Sequence, residues 1–327
     1  MDKITTLAHP NIALVKYWGK RDEQLNLPAV GSISVTLDEL QTKTTIEKLI
    51  GKCQDEIIFN DVIADEKEAG KIRKYIDLFR EKSNEKIYLK ITTSNNFPTS
   101  AGLASSASGF AALAKGLSEI FELKLDAKEL SRFARLGSGS AARSIFGGYV
   151  QLHKGILPSG KDCFAEQILA ADDFPLKIII AITDKTPKKV SSRKGMKESQ
   201  QTSPYYNAWV ESSDNDLLVM KKAIIEKDFF TIAEISIQSC LKMHSVMMTT
   251  QPPLIYWNSK TFAIIEQVLK MYNEKFPVFF TIDAGPQVKI FTVEGEEKKI
   301  IENLKNLNLI DEHFVIGIGK GIETIED

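Results

Sequence analysis

Ile33, Val35 and Leu37 alternate with small or polar residues, the two-residue period of a strand with one buried face. The apolar run 57–59 and the alternation of Ile87, Leu89 and Ile91 predict two more strands. Between them Ile72, Ile76 and Phe79 share one face of a helix over 71–81. A turn-rich stretch, 94–102, leads into a helix over 105–123 whose apolar stripe is Phe110, Leu113, Leu117, Ile120 and Phe121. A second helix over 127–136 stops at Gly137, and a strand over 145–152 is entered through Gly147-Gly148.

Beyond residue 175 the pattern changes. A buried-type strand over 176–183 is followed by a basic, serine-rich stretch, 185–197, read as a loop. Helices fit 214–226, 229–246, 259–272 and 296–307; strands fit 278–282, 288–293 and 314–318. Strands and helices alternate without a regular βαβ rhythm, so the expected class is α+β with two lobes, 1–175 and 176–327.

The chain has 327 residues, 43% of them hydrophobic, enough for a large core. Its 42 basic and 43 acidic residues are interspersed, leaving a net charge of -1 and no footprint for nucleic acid. Three distant cysteines, Cys53, Cys163 and Cys240, lack any metal-type spacing and fit a reducing compartment. No leading apolar segment resembles a signal peptide, and the run 176–182 is far too short to span a membrane. These features predict a soluble cytoplasmic protein with a small-molecule partner.

Two apparent nucleotide motifs are set aside. Gly155 to Lys161 resembles a P-loop, but Asp162 stands where a Ser or Thr would hold magnesium, and Pro158 removes a backbone donor. The segment from Gly137 to Ala142 fits a relaxed dinucleotide fingerprint, but it follows a helix instead of a strand. The four histidines show no zinc-type spacing.

Four segments carry chemistry. In the stretch from Pro98 to Gly109, small residues and the hydroxyls of Ser105, Ser106 and Ser108 sit where a turn becomes a helix. Backbone N–H groups there can close on an anion, and the helix dipole favours negative charge; the bland alternative is an N-cap. Gly137-Ser138-Gly139-Ser140-Ala141-Ala142-Arg143 is a second small-residue turn ending in a guanidinium, a natural clamp for carboxylate or phosphate. Lys16-Tyr17-Trp18-Gly19-Lys20 brackets two aromatics with cations; as a strand end, alternation would put Lys16 and Trp18 on one face. Asp283 follows an apolar strand and precedes a tight turn, the place for a desolvated carboxylate or for a plain turn former.

Together with Val190-Ser191-Ser192-Arg193, these segments resemble the mevalonate diphosphate decarboxylase family of the galactokinase, homoserine kinase, mevalonate kinase and phosphomevalonate kinase (GHMP kinase) superfamily. The phosphate-loop pattern, Pro98 to Ala107, is shared by that superfamily; the Lys16 to Lys20 and Gly137 to Arg143 segments are specific to the decarboxylase branch. Ala142 stands where many members have Cys, and Ser100 where many have Ala.

The resemblance implies an N-terminal lobe like ribosomal protein S5 domain 2, a ferredoxin-like C-terminal lobe carrying Asp283, and commonly a homodimer. It implies ATP and Mg2+, with ATP held by Lys71, Ser94, Asn96, Gly102, Leu103, Ala104, Ser105, Ser106 and Ser108, and Ser106 as a candidate Mg2+ ligand. Asp283, Lys16 and Arg143 would be catalytic. Substrate would meet Tyr17, Trp18, Gly19, Lys20, the turn Ser138, Gly139, Ser140, Ala141 and Ala142, and Ser191, Ser192 and Arg193. The implied reaction is ATP-dependent decarboxylation of mevalonate 5-diphosphate, with action on mevalonate 5-phosphate, or 3-phosphorylation of mevalonate alone, as the alternatives.

Overall fold

The structure, a computed structural model, is described for residues 2–97, 105–186 and 188–325. The first part of the chain forms β1 (Lys3–Ala8), β2 (Asn11–Val15), β3 (Lys20–Asp22), β4 (Leu27–Pro28), β5 (Ser32–Thr36), β6 (Thr42–Leu49), β7 (Glu56–Phe59), β8 (Val62–Ile63), α1 (Glu66–Ser83), β9 (Tyr88–Asn95), α2 (Ser105–Ile120), α3 (Ala127–Gly137), β10 (Tyr149–Leu152) and β11 (Ala165–Leu169). The second part forms β12 (Lys177–Ile182), α4 (Ser192–Thr202), α5 (Tyr206–Glu226), α6 (Phe229–Met248), α7 (Ser259–Asn273), β13 (Val278–Thr281), β14 (Val288–Thr292), α8 (Glu297–Asn306), β15 (Glu312–Ile316) and β16 (Glu323–Ile325).

The strands make a six-stranded sheet ordered β16-β1-β6-β9-β7-β8, two four-stranded sheets ordered β11-β10-β5-β2 and β13-β14-β12-β15, and the small β3-β4 pair. This is a two-lobed α+β architecture. The chain end crosses back: β16 pairs antiparallel with β1, Leu37 bridges to Ile318, and Gly319 N–H donates to Thr36 O at 2.8 Å.

Helix starts follow local chemistry. Asp65, Asp126 and Asp228 each accept a backbone N–H of the first turn of α1, α3 and α6, and Asn258 forms a capping box with Thr261 on α7. The expected loop over 185–197 is a loop only as far as Ser191. That serine caps α4, and the helix buries Gly195, Met196 and Ser199 on its inner face. α5 begins at Tyr206, earlier than its apolar period suggests, because Tyr206 and Trp209 pack under the first lobe instead of on the helix's own stripe.

β6 was not legible as a strand, because its buried face is built of threonines. Thr44 Oγ1 lies 2.9 Å from Thr93 Oγ1, and Thr42 Oγ1 meets Asn95 at 2.5 Å and Ser108 at 2.6 Å. Hydroxyls satisfied across the sheet replace the apolar alternation that a periodicity reading needs. α2 lies flat on this sheet. A Cβ at Gly116 would fall 2.8 Å from Ile46 Cδ1, so glycine permits the close seat.

One core lies between the six-stranded sheet and α1, α2 and α3. The other joins the lobes: Ile12, Leu14 and Val15 of β2 share it with Ile178–Ile182 of β12 and Val278–Phe280 of β13. Leu14 and Val15 are fully buried there, each contributing roughly 1.5–3 kcal/mol. This shared core carries the end of β2 to α6 and the end of β13, where the cleft begins.

Candidate active site

β2 ends at Val15, and Lys16 does not continue the strand; its backbone N–H donates to Ser239 Oγ on α6 at 2.9 Å. The expected alternation therefore does not operate at 16–18, and Lys16 and Trp18 are both buried. The Lys16 ammonium crosses to Asp283 and donates to Oδ1 at 2.7 Å. Asp283 leaves the end of β13. Its preceding peptide is fixed on α6: Ile282 N–H donates to Cys240 Sγ at 3.2 Å, and the His244 ring nitrogen lies 3.3 Å from Ile282 O.

A second cation stands behind the acid. Lys289 of β14 places Nζ 3.6 Å from Asp283 Oδ2, and both lysines are 1% exposed. Burial alone would raise the Asp283 pKa, but Lys16, Lys289 and Arg143 outweigh it and hold the carboxyl well below its usual range. His244, buried beside Trp257, is pushed down to about 3 by burial and by Lys16, so it is neutral.

Around this centre opens a cleft of about 810 Å³. Its opposite wall is the small-residue turn. Gly139–Ile145 forms a 3₁₀ turn after α3, which sends the Arg143 side chain inward. Nε donates to Ser34 Oγ at 2.9 Å, Nη1 to Ser32 Oγ at 2.5 Å, and Nη2 to Asn11 Oδ1 at 2.9 Å. All these partners are neutral, and burial brings the guanidinium pKa down to about 10. Tyr17 Oη is buried without a hydrogen-bond partner and lies against the turn; a Cβ at Gly139 would sit 2.7 Å from it. Ser138 Oγ lies 3.2 Å from Ser140 Oγ and 3.5 Å from Ser106 Oγ, linking the start of α2 to the turn.

The third wall is the approach to α4. Lys188, Ser191, Ser192 and Arg193 line it, with Lys20 across the cleft. Lys188 Nζ donates to Ser192 Oγ at 2.8 Å and Ala284 O at 3.3 Å; Lys20 Nζ donates to Asn26 Oδ1 at 2.5 Å. Burial lowers the pKa of both ammonium groups, for Lys20 with help from Arg193.

Of the residues expected in the site, Lys16, Tyr17, Trp18, Lys20, Ser105, Ser106, Ser138, Gly139, Ser140, Arg143, Ser191, Ser192, Arg193 and Asp283 line this one cleft. Others lie outside its lining. Ala141 and Ala142 are fully buried in the core, where their small size seats the 3₁₀ turn. Ser108 is likewise fully buried, and its hydroxyl meets Thr42 and Ser105 O instead of facing the cleft. Gly19, at φ +96°, makes room for Tyr206, whose Oη would lie 2.0 Å from a Cβ there. Lys71 is exposed on α1, and Ser94 and Asn96 are exposed at the end of β9, where Asn96 braces Gln41 and Glu39. Gly102, Leu103 and Ala104 fall outside the described residues.

Asn11, Lys188 and Lys289 were not singled out from sequence. Lys188 lay within the basic stretch 185–197. Lys289 had its own signal, a lysine inside the apolar strand from Val288 to Phe291. The P-loop-like turn is closed by its own acid: Asp162 accepts backbone N–H groups from Ile156 at 2.7 Å and Leu157 at 3.1 Å.

A two-lobed α+β chain with a cation-rich cleft, a helix start and a single ion-paired carboxylate defines a small-molecule phosphoryl-transfer enzyme. Family models make this specific. The diphosphomevalonate decarboxylase-like N-terminal domain matches residues 8–165, and the mevalonate 5-diphosphate decarboxylase C-terminal domain matches 178–316. The chain belongs to the diphosphomevalonate decarboxylase family and is an ATP-dependent decarboxylase. The Candida albicans diphosphomevalonate decarboxylase is 36% identical over 96% of this chain and 89% of its own length; the human one is 36% identical over 89% and 77%. The mevalonate diphosphate decarboxylase structure from Staphylococcus aureus superposes with a TM-score of 0.92 at 37% identity, covering 99% of this chain and 98% of that one. A solved complex of a relative with MVAPP, AMPPCP and magnesium matches at 0.91 and 36%, covering 100% and 99%. No helix among the described residues is long and apolar enough to cross a membrane.

Proposed function

We propose that this cleft phosphorylates the 3-hydroxyl of mevalonate 5-diphosphate with ATP and then releases phosphate and carbon dioxide to leave isopentenyl diphosphate. The observation that carries the assignment of roles is one cleft with two unlike ends. A carboxylate held ionised by lysines faces a buried guanidinium whose hydrogen-bond partners are all neutral.

Asp283 accepts a hydrogen bond from the 3-hydroxyl and aims its oxygen at the transferring phosphoryl group. A carboxylate so weakly basic orients the hydroxyl more than it retains its proton, which passes to a phosphoryl oxygen as the new oxygen–phosphorus bond forms and ADP departs. Lys16 keeps it charged. Lys188 stands beside it and offsets charge on the transferring group. Arg143 takes the substrate carboxylate as its missing anionic partner and fixes it next to the tertiary carbon. When the 3-phosphate leaves, the carboxylate is lost as carbon dioxide and its bonding electrons form the alkene. Tyr17, Lys20, Ser191, Ser192 and Arg193 hold the diphosphate, with the backbone of Ser138 to Ser140 beside it.

The protein donors suit Mg2+ brought in with ATP. No cluster of three or more acid, His or Cys ligands exists among the described residues, and hydroxyls at Ser106, Ser138 and Ser140 converge at the helix start. Mg2+ keeps waters and substrate phosphates as its main ligands, so Ser106 suffices as a protein contact. When bound, the ion neutralises charge on the phosphate oxygens. We further place the enzyme in the cytoplasm as a homodimer acting on a small molecule, with no nucleic-acid or membrane partner; light scattering of the purified protein tests the dimer.

The substrate is tested by supplying mevalonate, its 5-phosphate and its 5-diphosphate side by side while ADP and carbon dioxide are counted. The diphosphate is expected to be decarboxylated with the highest kcat/KM. Arg193→Ala should raise the KM for the diphosphate by about tenfold and that for ATP by less than about threefold. Equal activity on the monophosphate, or equal effects on both KM values, would remove Arg193 from the diphosphate site.

A further inference from the structure

Asp283 uses its two oxygens differently. Oδ1 is held at 2.7 Å by Lys16, which arrives from the first lobe. Oδ2 faces Lys289 at 3.6 Å, and Lys289 lies on β14, directly opposite Thr281, the last residue of the strand that leads to the acid. Lys289 does not line the cleft and is 1% exposed. Its strand neighbours Val288, Ile290 and Phe291 are fully buried. Packing asks for no charge at this position, and an apolar side chain of similar length would avoid the desolvation penalty of an ammonium.

We infer that Lys289 is a positioning residue for the phosphoryl-transfer step: from behind the cleft it attracts the second oxygen of Asp283, so that the carboxylate, held by Lys16 at its first oxygen, does not rotate about that contact and away from substrate. This rests on the reading of Asp283 as the group that orients the 3-hydroxyl. The other charged or titratable groups around the acid are Lys16 after β2, Arg143 on the 3₁₀ turn, Lys188 before α4, and Cys240 and His244 on α6. Burial raises the Cys240 thiol to about 11, so it is neutral like His244. Asp283 is thus the one anion of the cluster among the described residues, and removing Lys289 withdraws one of the charges that depress its pKa.

The test uses the full-length enzyme with Lys289→Met, Lys289→Arg and Asp283→Asn, assayed for ADP and carbon dioxide across pH. Lys289→Met should lower kcat by about tenfold or more while both KM values stay within about threefold. Lys16 and Arg143 still hold Asp283 ionised in this variant, so the loss should lie in kcat at every pH assayed. Lys289→Arg should recover kcat to within about threefold of the parent. Should Lys289→Met fail to fold by circular dichroism, Lys289→Gln takes its place. A folded Met or Gln variant with parental kcat, or one whose KM values rise as far as its kcat falls, overturns the inference while Asp283→Asn is inactive. An active Asp283→Asn overturns the reading of Asp283 itself, and the inference with it.

Discussion

On one side of the cleft Asp283 already has its partners, with Lys16 on one oxygen and Lys289 near the other; on the facing side Arg143, near enough to help depress the acid's pKa, donates hydrogen bonds to Asn11, Ser32 and Ser34. The first end is electrically built before substrate arrives, and its geometry is fixed by elements of both lobes. The second holds a buried cation and an unpartnered Tyr17 hydroxyl, so it is complete only when an anion enters. Chemistry calls for the first kind of site, because reorganising charge during reaction is expensive. Recognition calls for the second, because the unmet donors are what discriminate an anionic substrate from a neutral one.

The contrast can be broken most directly at the built end. Asp283→Ala should reduce phosphate release from ATP by about 10³-fold while the diphosphate substrate still binds, as measured by single-turnover assay and calorimetry. Turnover above about a tenth of the parent rate would show that the carboxylate is not the reacting group's partner.

At the incomplete end, Arg143→Gln should lower kcat/KM by about 10²-fold, the loss of charge-assisted hydrogen bonds to a carboxylate. The free variant should lose little thermal stability, since a buried guanidinium without an anion carries a desolvation penalty, but the upward Tm shift on adding substrate should shrink. A substrate-induced shift equal to that of the parent would place the carboxylate elsewhere.

The lysines sharpen the comparison through pH. Burial depresses the pKa of Lys20 and Lys188 in the free protein. The folded state therefore loses these protons before the unfolded chain does. Their charging penalty is present below the folded pKa and vanishes above the unfolded one, so stability rises with pH through that window. Anionic substrate needs the charged forms, so affinity should fall with rising pH while an ordinary lysine is still mostly protonated. Calorimetric Kd against pH checks this, and Lys20→Gln should flatten the slope.

The smallest effect is expected at the closed turn. Asp162 fills the anion seat of the segment from Gly155 to Gly160 with its own carboxylate, and backbone N–H groups from Ile156 and Leu157 depress its pKa. Any stability it adds is present above the unfolded pKa and is lost as pH falls through the folded one. Asp162→Ala should lower Tm slightly and leave kcat/KM within about twofold, in contrast to every change in the cleft.

Sequence by itself determined the α+β class, nearly all the helices, and the segments that hold chemistry. Helices of regular apolar period and cap residues are local signals, and glycine–serine turns followed by cations are visible as composition. Asp283, Arg143 and the segment from Lys16 to Lys20 were legible for that reason. Sequence did not reveal β6, whose buried threonines meet polar side chains of β9 and α2, nor α4, which begins within a run that reads as solvated charge. Only the tertiary structure decided that Ser108 turns inward while Ser106 turns to the cleft, that Gly19 yields to Tyr206, and that β16 returns to the first sheet. It also decided that the acid has two lysines. Lys289 lies six residues after Asp283 in the chain, and a strand pairing brings the two together. Charges that meet across a ladder or between lobes leave no periodic trace, because strand pairing and lobe packing, and not helical or strand period, fix their distance.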